Sequence, residues 1–151
     1  MELIALGCDH AAYQLKENIK EYLIGLGYQV RDFGTLGPES VDYPDYGIAV
    51  GEAVSGGECD KGIVMCGTGI GISISANKVK GIRAAACSEP FSARLSREHN
   101  NSNVLALGSR IIAPEYARCI VKAWLDAKFE EGHHAKRIQK IAQYESGDPG
   151  K

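Results

Sequence analysis

An apolar run that passes directly into a glycine-rich segment constrains the fold of this chain more than any other feature. Ile63-Val64-Met65 is a continuous apolar stretch, which is typical of a strand buried on both faces. The glycines in the following Cys66-Gly67-Thr68-Gly69-Ile70-Gly71 allow the backbone to turn tightly and to direct its N–H groups towards one point. A helix that begins near Ile70 would add the positive end of its dipole. The segment therefore predicts a site for a small anion or a developing oxyanion, although glycine turns of this kind also serve tight packing alone.

Cys66 lies at the edge of this predicted anion site, where nearby N–H groups favour its thiolate form. The alternative is a small core residue, since unpaired cysteines are commonly buried. The chain has five cysteines, an odd number without a C-x-x-C pair, which argues against a disulfide framework and against a zinc site. We expect Cys87 and Cys119 in the core, Cys59 in a loop and Cys8 at the end of a strand.

The length and charge of the chain limit its class. Its 151 residues suit a single domain, residues 1–151, with a full hydrophobic core. The net charge is −2 and no run of lysine or arginine occurs, so a nucleic-acid partner is not expected. No apolar stretch approaches the length of a membrane span, and the N-terminus does not resemble a signal peptide. We therefore expect a cytoplasmic protein with reduced thiols and no membrane partner.

Segments typical of strands and of helices alternate along the chain. Apolar or alternating runs predict strands over residues 3–7, 29–33, 63–65, 82–86 and 104–107. Apolar periodicity and end motifs predict helices over residues 15–26, 45–54, from 70, over 90–98 and from 114, with a tail over 130–143. Asp45 is the expected N-cap of the second helix. This alternation predicts an α/β fold, a doubly wound (Rossmann-like) three-layer sandwich with a five-stranded parallel sheet and a C-terminal helical tail.

The topology of such a sheet predicts where a ligand binds. For a strand order of 2-1-3-4-5, the ligand lies beyond the carboxyl ends of the first and third strands, where the strand order reverses. The loops at that point are Cys8-Asp9-His10 and residues 66–71. His99 follows the fourth helix, so we expect it at the opposite edge of the sheet. A catalytic His99 would then have to serve a neighbouring subunit; the alternative is a surface turn residue.

Several common site motifs are absent from the sequence. A nucleotide P-loop needs Gly-Lys followed by Ser or Thr, and a dinucleotide fingerprint starting at Gly67 would need glycine where Ile72 stands. A cysteine phosphatase needs an arginine six positions after its cysteine, where Cys66 is followed by Ile72. His133-His134 could bind a metal, but no cysteine or carboxylate clusters with the pair at a known spacing. We therefore expect a site without a metal and without a cofactor.

Seven short segments, spread over essentially the whole chain, carry a family resemblance. They are Gly7-Cys8-Asp9-His10, Asp42-Tyr43-Pro44, Cys66-Gly67-Thr68-Gly69-Ile70-Gly71, Ile82-Arg83-Ala84, Cys87-Ser88-Glu89-Pro90, His99-Asn100 and Leu107-Gly108-Ser109-Arg110. Together they resemble the type B ribose-5-phosphate isomerase family, which is similar to the galactose-6-phosphate isomerase subunits. The glycine loop, the Cys-Ser-Glu-Pro segment and the His-Asn segment are the most specific of these motifs.

The resemblance implies an aldose–ketose isomerase that interconverts ribose 5-phosphate and ribulose 5-phosphate through an enediolate. Cys66 matches the base that moves a proton between C1 and C2. The backbone amides of Gly67, Gly69, Ile70 and Gly71 match the anion hole for the enediolate oxygen. Thr68 and His99 match residues that open the furanose ring, Asp9 matches a residue that contacts sugar hydroxyls, and Asn100 is close to the substrate.

The resemblance also implies how the phosphate and the subunits are arranged. His10, Arg110, His134 and Arg137 match positions that gather the phosphate. The family shares each site between two subunits, which implies a homodimer or a dimer of dimers and agrees with the expected position of His99. The chain departs from many members at His133, where they carry an arginine that helps to bind phosphate. Loss of that bidentate partner weakens phosphate binding or transfers the role to Arg137 and Arg110.

Three questions remain open at this level. The preferred substrate could be a six-carbon phosphate, allose 6-phosphate or galactose 6-phosphate, instead of ribose 5-phosphate. A non-catalytic phosphosugar-binding module could use the same site, although a binding protein needs neither a base such as Cys66 nor an acid such as His99. Asp42 and Tyr43 could reach the site or only shape their loop.

Overall fold

The computed structural model of the chain describes residues 2–147, so the predicted domain limits at residues 1 and 151 lie outside the described residues. Its strands are β1 (Leu3–Cys8), β2 (Gln29–Asp32), β3 (Lys61–Cys66), β4 (Ala84–Ala86) and β5 (Val104–Gly108). Its α-helices are α1 (Tyr13–Gly25), α2 (Tyr43–Ser55), α3 (Ile70–Asn77), α4 (Pro90–Glu98), α5 (Pro114–Asp126) and α6 (His133–Glu145), and a short 3-10 helix covers His10–Ala12.

The five strands form one parallel sheet in the order β2-β1-β3-β5-β4. The predicted α/β class and parallel sheet are confirmed, but the predicted order 2-1-3-4-5 is wrong at its last two positions. Every residue of β5 is buried, whereas the alanines of β4 are half-buried or exposed. The more apolar β5 therefore takes the internal position and the short β4 takes the edge. The reversal of strand order between β1 and β3 is unaffected.

Helices cover both faces of the sheet and give the three layers expected. On one face, side chains of α1, α4 and α5 pack against Ile63 and Met65 of β3. On the other face, side chains of α2 and α3 pack against Val64 and Cys66. The alternation along β3 follows from the pleat of a strand, which turns successive side chains to opposite faces. It places Cys66 on the face that α2 and α3 cover.

Two local predictions are corrected by the structure. Helix α2 begins at Tyr43 with Asp42 as its N-cap residue, so Asp45 lies in the first turn instead of at the cap. Pro44 explains the difference, because proline is accommodated in a first helical turn, where its missing N–H is not needed. Cys119 is exposed, whereas Cys8, Cys59, Cys66 and Cys87 are buried. Cys119 lies on the side of α5 away from its buried stripe.

Helix α6 forms the predicted C-terminal tail and contains no buried residue. The Glu145 carboxylate accepts a hydrogen bond from the Gly81 amide at 2.8 Å, which ties the end of α6 to the loop before β4. Across residues 2–147, each helix lacks either the length or the apolarity that a membrane span requires.

Candidate active site

The loop between β3 and α3 holds Cys66 against backbone N–H groups. The amide of Gly69 donates a hydrogen bond to Sγ of Cys66 at 3.1 Å, and the Cys66 residue is only 5% exposed. Gly69 has a φ of +80°, and a Cβ atom there would lie 2.9 Å from the carbonyl carbon of Leu107. Only glycine fits this position without strain. The geometry places a donor that stabilises negative charge directly on the sulfur.

The start of α3 lies where the sequence predicts it, at Ile70. Thr68 is exposed beside this start, and its Oγ1 accepts a hydrogen bond from the Ile70 amide at 3.2 Å. The first-turn amides of an α-helix have no partner within the helix and lie at the positive end of its dipole. The glycine loop thus leads directly into a helix start, and anion binding there stays a prediction.

The loop after β1 joins this loop at the same edge of the sheet. The Asp9 amide donates to the carbonyl of Met65 at 3.2 Å, and the Asp9 carboxylate accepts from the Ala11 amide at 3.0 Å. His10 Nδ1 accepts a hydrogen bond from the Val41 amide at 3.2 Å. A neutral His10 ring therefore carries its proton on Nε2, where it can donate to a ligand.

The loop after β5 brings Arg110 to the loop between β3 and α3. The amides of Ser109 and Arg110 donate to the carbonyls of Cys66 and Gly67, both at 2.9 Å. A Cβ atom at Gly67 would lie 3.0 Å from a terminal guanidinium nitrogen of Arg110, so the guanidinium packs directly on the Gly67 backbone. A permanent positive charge thus stands beside Gly67, the residue that follows Cys66.

Tyr43 also reaches this edge, which answers one question that the sequence leaves open. A Cβ atom at Gly71 would lie 2.7 Å from the Tyr43 ring, so the ring packs against the glycine loop. Its 40% exposure leaves part of the ring on the surface beside the site. Tyr43 therefore contacts the glycine loop, which is one of the two alternatives that its Asp-Tyr-Pro segment left open.

A second group of polar residues lies at the other edge of the sheet. The rings of His99 and His134 stack with centroids 4.3 Å apart, and the His133 ring lies 4.0 Å from that of His134. Glu130 Oε1 is 3.8 Å from His99 Nε2 and 3.7 Å from His134 Nε2. We call His99, Glu130, His133 and His134 the histidine cluster. The expectation that no carboxylate accompanies the histidine pair is wrong, because Glu130 reaches both His134 and the more distant His99.

The environment of His134 disfavours its charged form. Burial lowers the pKa of His134, and the neighbouring His133 and His99 rings lower this pKa further, while the Glu130 carboxylate opposes them. Arg137, one helical turn after His133 on α6, adds a weaker contribution in the same direction as the histidines. The first turns of α6 thus gather positive or potentially positive groups next to His99.

The two groups do not meet within one chain. His99 and Asn100 precede β5 and Arg110 follows it, and the five residues of β5 span about 16 Å. The carboxyl edge of the sheet carries Cys66, Thr68, Asp9, His10 and Arg110. The amino edge carries His99, Asn100, His134 and Arg137. The position of His99 opposite the Cys66 loop is therefore as predicted.

Two other buried cysteines are unsuited to act as bases. Burial raises the pKa of Cys8 to about 12, even though the nearby Lys16 ammonium opposes this effect. Burial also raises the pKa of Cys87 to about 11, with a smaller contribution from the Glu89 carboxylate. Both thiols stay protonated near neutral pH. The Cys66 sulfur accepts its hydrogen bond from Gly69, within the loop that leads into α3.

Lys16 is a further residue whose role sequence reasoning missed. Its side chain is fully buried, and its Nζ donates to both Asp32 oxygens at 2.8 and 2.9 Å and to the Thr35 carbonyl at 2.6 Å. Burial alone would raise the pKa of Asp32, but hydrogen bonds from Lys16, Lys20 and the Gly34 amide hold this pKa below its usual range. Lys16 thereby anchors the loop after β2, which carries Val41 to His10.

The chain is similar to known sugar-phosphate isomerases over most of its length. The sequence model of the Ribose/Galactose Isomerase family matches residues 4–141. The chain is 53% identical to Ribose-5-phosphate isomerase B of Escherichia coli (strain K12), covering 96% of this chain and 97% of that protein. It is 47% identical to the D-erythrulose-4-phosphate isomerase of Pectobacterium atrosepticum, covering 94% of each. It is 41% identical to a galactose-6-phosphate isomerase subunit of Clostridium acetobutylicum, covering 98% of this chain and 88% of that one.

Solved structures agree with these sequence relatives. Ribose-5-Phosphate Isomerase B of Clostridium thermocellum has a TM-score of 0.95 at 56% identity, covering 96% of this chain and 98% of that one. Ribose-5-phosphate Isomerase B of Mycoplasma genitalium, solved with bound ribulose-5-phosphate, has a TM-score of 0.92 at 40% identity, covering 95% of this chain and 96% of that one.

Proposed function

The chain belongs to the ribose/galactose isomerase family, and on that premise we propose that it interconverts ribose 5-phosphate and ribulose 5-phosphate with Cys66 as the base. It is an aldose–ketose isomerase of carbohydrate metabolism, similar over nearly its full length to proteins named for that reaction. The observation that carries the assignment of the base is the hydrogen bond from the Gly69 amide to the Cys66 sulfur. Cys8 and Cys87, whose pKa values burial raises, offer no competing thiolate.

The proposed reaction begins with opening of the furanose ring by Thr68 and His99, while Asp9 and Asn100 hold sugar hydroxyls. The Cys66 thiolate removes the proton from C2, the C2 electron pair forms the double bond to C1, and O1 becomes an oxyanion. The amides of Gly67, Gly69, Ile70 and Gly71 supply the donors for that oxygen. The Cys66 thiol then returns the proton to C1, and the O2 proton moves to O1, which leaves a hydroxyl on C1 and the carbonyl on C2 of the ketose.

We propose that a homodimer builds each site from both edges. Ile70 and Ile74, four residues apart on α3, are each 56% exposed, and Ile111 beside them is 58% exposed. Adjacent exposed apolar side chains of this size are typical of an interface between subunits. This surface adjoins Thr68 and Cys87, which line one hollow together with Ile70 and Ile111.

The direction of α3 supports a two-fold arrangement. The helix starts at the Cys66 loop and ends at Asn77, which lines a hollow together with Asn100 and Ile141. Its eight residues span about 12 Å. Antiparallel packing of two copies of α3 across a two-fold axis therefore sets the Cys66 loop of one chain beside the Asn100 end of the other. The site of one copy is then completed by four residues of the other: His99, Asn100, His134 and Arg137. Two such homodimers can associate into a dimer of dimers.

In this arrangement, residues from both edges of the sheet bind the phosphate. The proposed ligands are His134 and Arg137 of one copy and His10 and Arg110 of the other. Arg110 and Arg137 supply permanent charge, which His133 does not. The phosphate group of a five-carbon substrate would lie at the end of the site remote from C1, away from the Cys66 sulfur.

Substrate length is the point on which relatives differ. A five-carbon substrate is supported by the relative with 53% identity, whereas the six-carbon alternative rests on the more distant subunit with 41% identity. A four-carbon substrate is a second candidate, because the Pectobacterium atrosepticum relative with 47% identity is named for erythrulose 4-phosphate. A non-catalytic binding module is not supported, since such a module needs no polarised thiol.

We further propose that the chain acts in the cytoplasm, in the pentose phosphate pathway, as one domain over residues 1–151. All five cysteines are unpaired, which suits a reducing compartment. The sequence model of the family covers residues 4–141, which is most of the chain.

A turnover assay on purified, metal-stripped protein tests the proposal. Ribose 5-phosphate, erythrulose 4-phosphate, allose 6-phosphate and galactose 6-phosphate are compared by kcat/KM. We expect the highest value for ribose 5-phosphate. A higher value for another sugar would replace the substrate but keep the chemistry, and binding without turnover of any of them would overturn the catalytic assignment.

A further inference from the structure

The histidine cluster contains the kinds of side chain that bind a metal ion. Within residues 2–147, His99, Glu130 and His134 form the one group of three or more histidine, cysteine or acidic residues whose ligand atoms all lie within 4.8 Å of one another. Two imidazole nitrogens and one carboxylate oxygen are a donor set typical of catalytic and inhibitory zinc sites. Imidazole selects Zn²⁺ and its neighbours in the transition series over Mg²⁺ or Ca²⁺, which prefer oxygen.

The ligand atoms are close to the separation that a metal requires. Tetrahedral Zn²⁺ with bonds of about 2.1 Å sets its ligands about 3.4 Å apart. Glu130 Oε1 already lies 3.8 Å from His99 Nε2 and 3.7 Å from His134 Nε2. The two stacked rings must rotate towards a common point, and the 39% exposure of the His99 side chain and 54% exposure of Glu130 leave them room to do so.

Backbone contacts keep Glu130 and His134 close to His99. The Glu130 amide donates to the carbonyl of Glu98 at 3.0 Å, which joins the segment before α6 to the end of α4 next to His99. His134 is the second residue of α6, four positions after Glu130. Its neighbour His133, with a ring centroid 4.0 Å from that of His134, is available as a fourth ligand.

We propose that His99, Glu130 and His134 bind one Zn²⁺ ion per chain and that this ion inhibits isomerisation reversibly. A metal on His99 Nε2 occupies the nitrogen that would exchange a proton with the ring oxygen of the sugar. A metal on His134 removes a proposed phosphate ligand. The bound ion therefore competes with the sugar phosphate at one end of the site and leaves Cys66 untouched.

The binding measurement uses Zn²⁺ alone and does not depend on activity. Isothermal titration is made on the metal-stripped variant Cys66→Ala/Cys119→Ser, which removes the proposed base and the exposed thiol as competing ligands. We expect one ion per chain. Glu130→Gln in that background should weaken binding by about 10-fold or more, as loss of groups around a metal does, whereas Glu131→Gln should leave it unchanged because that carboxylate is outside the cluster. No binding, or equal affinity of the Glu130→Gln and Glu131→Gln proteins, would overturn the site.

The inhibition rests on the proposed function and is tested separately in the chain with all its cysteines. Zn²⁺ should raise the KM for ribose 5-phosphate, a chelator should reverse the effect, and Glu130→Gln should need about 10-fold more Zn²⁺ for the same loss. Co²⁺ provides a spectroscopic check: absorption without a thiolate charge-transfer band supports the cluster, and such a band would assign the metal to a cysteine, Cys66 or the exposed Cys119, and overturn the cluster as the site of inhibition. Metal binding without any turnover of ribose 5-phosphate would contradict the proposed function and the inhibition but keep the site.

Discussion

The backbone nitrogen of Gly69 lies 3.1 Å from the Sγ atom of Cys66 and donates a hydrogen bond to it. This contact joins the side chain at the end of β3 to the residue that caps α3. It requires the left-handed backbone of Gly69, with its φ of +80°. The catalytic proposal therefore depends on a glycine as much as on the cysteine, and each can be tested.

Replacing the base should abolish turnover while leaving the fold and binding intact. We expect Cys66→Ala to lower kcat by at least ~100-fold, the lower end of what a general base contributes, with the affinity for sugar phosphate maintained. The exposed Cys119 provides the control, and Cys119→Ala should retain wild-type kinetics. A near-normal kcat in Cys66→Ala would remove Cys66 from the mechanism.

Replacing Gly69 should affect activity beyond its effect on stability. Gly69→Ala must place Cβ against the Leu107 carbonyl carbon at 2.9 Å, so we expect a loss of 1–3 kcal/mol in stability, roughly the cost of a strained backbone, and a fall in kcat. Gly57 also has a positive φ, +79°, but no atom within 4 Å of an added Cβ. Gly57→Ala should lose stability but keep kcat. If Gly69→Ala and Gly57→Ala had the same kcat, the Gly69 amide would have no role in catalysis.

Mixing two inactive variants tests whether sites are shared. A dimer of one Cys66→Ala chain and one His99→Ala chain contains one site with both residues intact. Random exchange between equal amounts makes half of the dimers mixed, so about a quarter of wild-type activity should return, by the symmetry of a two-fold dimer. Verified exchange without recovery would contradict a site built from two chains.

The lowered pKa of His134 predicts how the stability of the ligand-free protein varies with pH. A histidine whose pKa is lower when folded binds more protons in the unfolded chain, so stability decreases as pH falls below about 6.5, the ordinary histidine value, towards the folded value. We expect the Tm to drop between about pH 7.5 and about pH 5.5, and the drop to be smaller in His134→Gln. Identical slopes for wild type and His134→Gln would contradict the prediction.

The buried Lys16 should contribute more to stability than its neighbour Lys20. Lys16→Met leaves Asp32 without a fully buried partner and should cost about 3 kcal/mol in the free energy of unfolding. Lys20 also contacts Asp32, at 2.9 Å, but its side chain is 29% exposed, so Lys20→Met should cost less than about 1 kcal/mol. Chemical denaturation of both variants measures the difference; equal losses would refute the role of burial.

The sequence predicted the features that depend on local pattern. The glycine spacing located the β3 loop and the start of α3, and the alternation of elements gave the parallel sheet and the place of His99. The order of β4 and β5 depended on which strand buries more surface, and no local pattern reports that comparison. Glu130 lies in the loop before α6 and Tyr43 is the first residue of α2, after a loop. Tertiary packing sets the paths of both loops. Lys16 was missed because a lysine beside an amphipathic stripe usually extends into solvent.

Helix α6 has no buried residue, yet it carries His134 and Arg137. Substitutions on it disturb little of the hydrophobic core, because that core is formed by other elements. The two phosphate ligands proposed on α6 can therefore change during evolution at small cost to folding, while Cys66, set within the core, cannot. In a family that keeps one reaction but acts on sugars of different length, we therefore expect the first sequence differences to be in this helix.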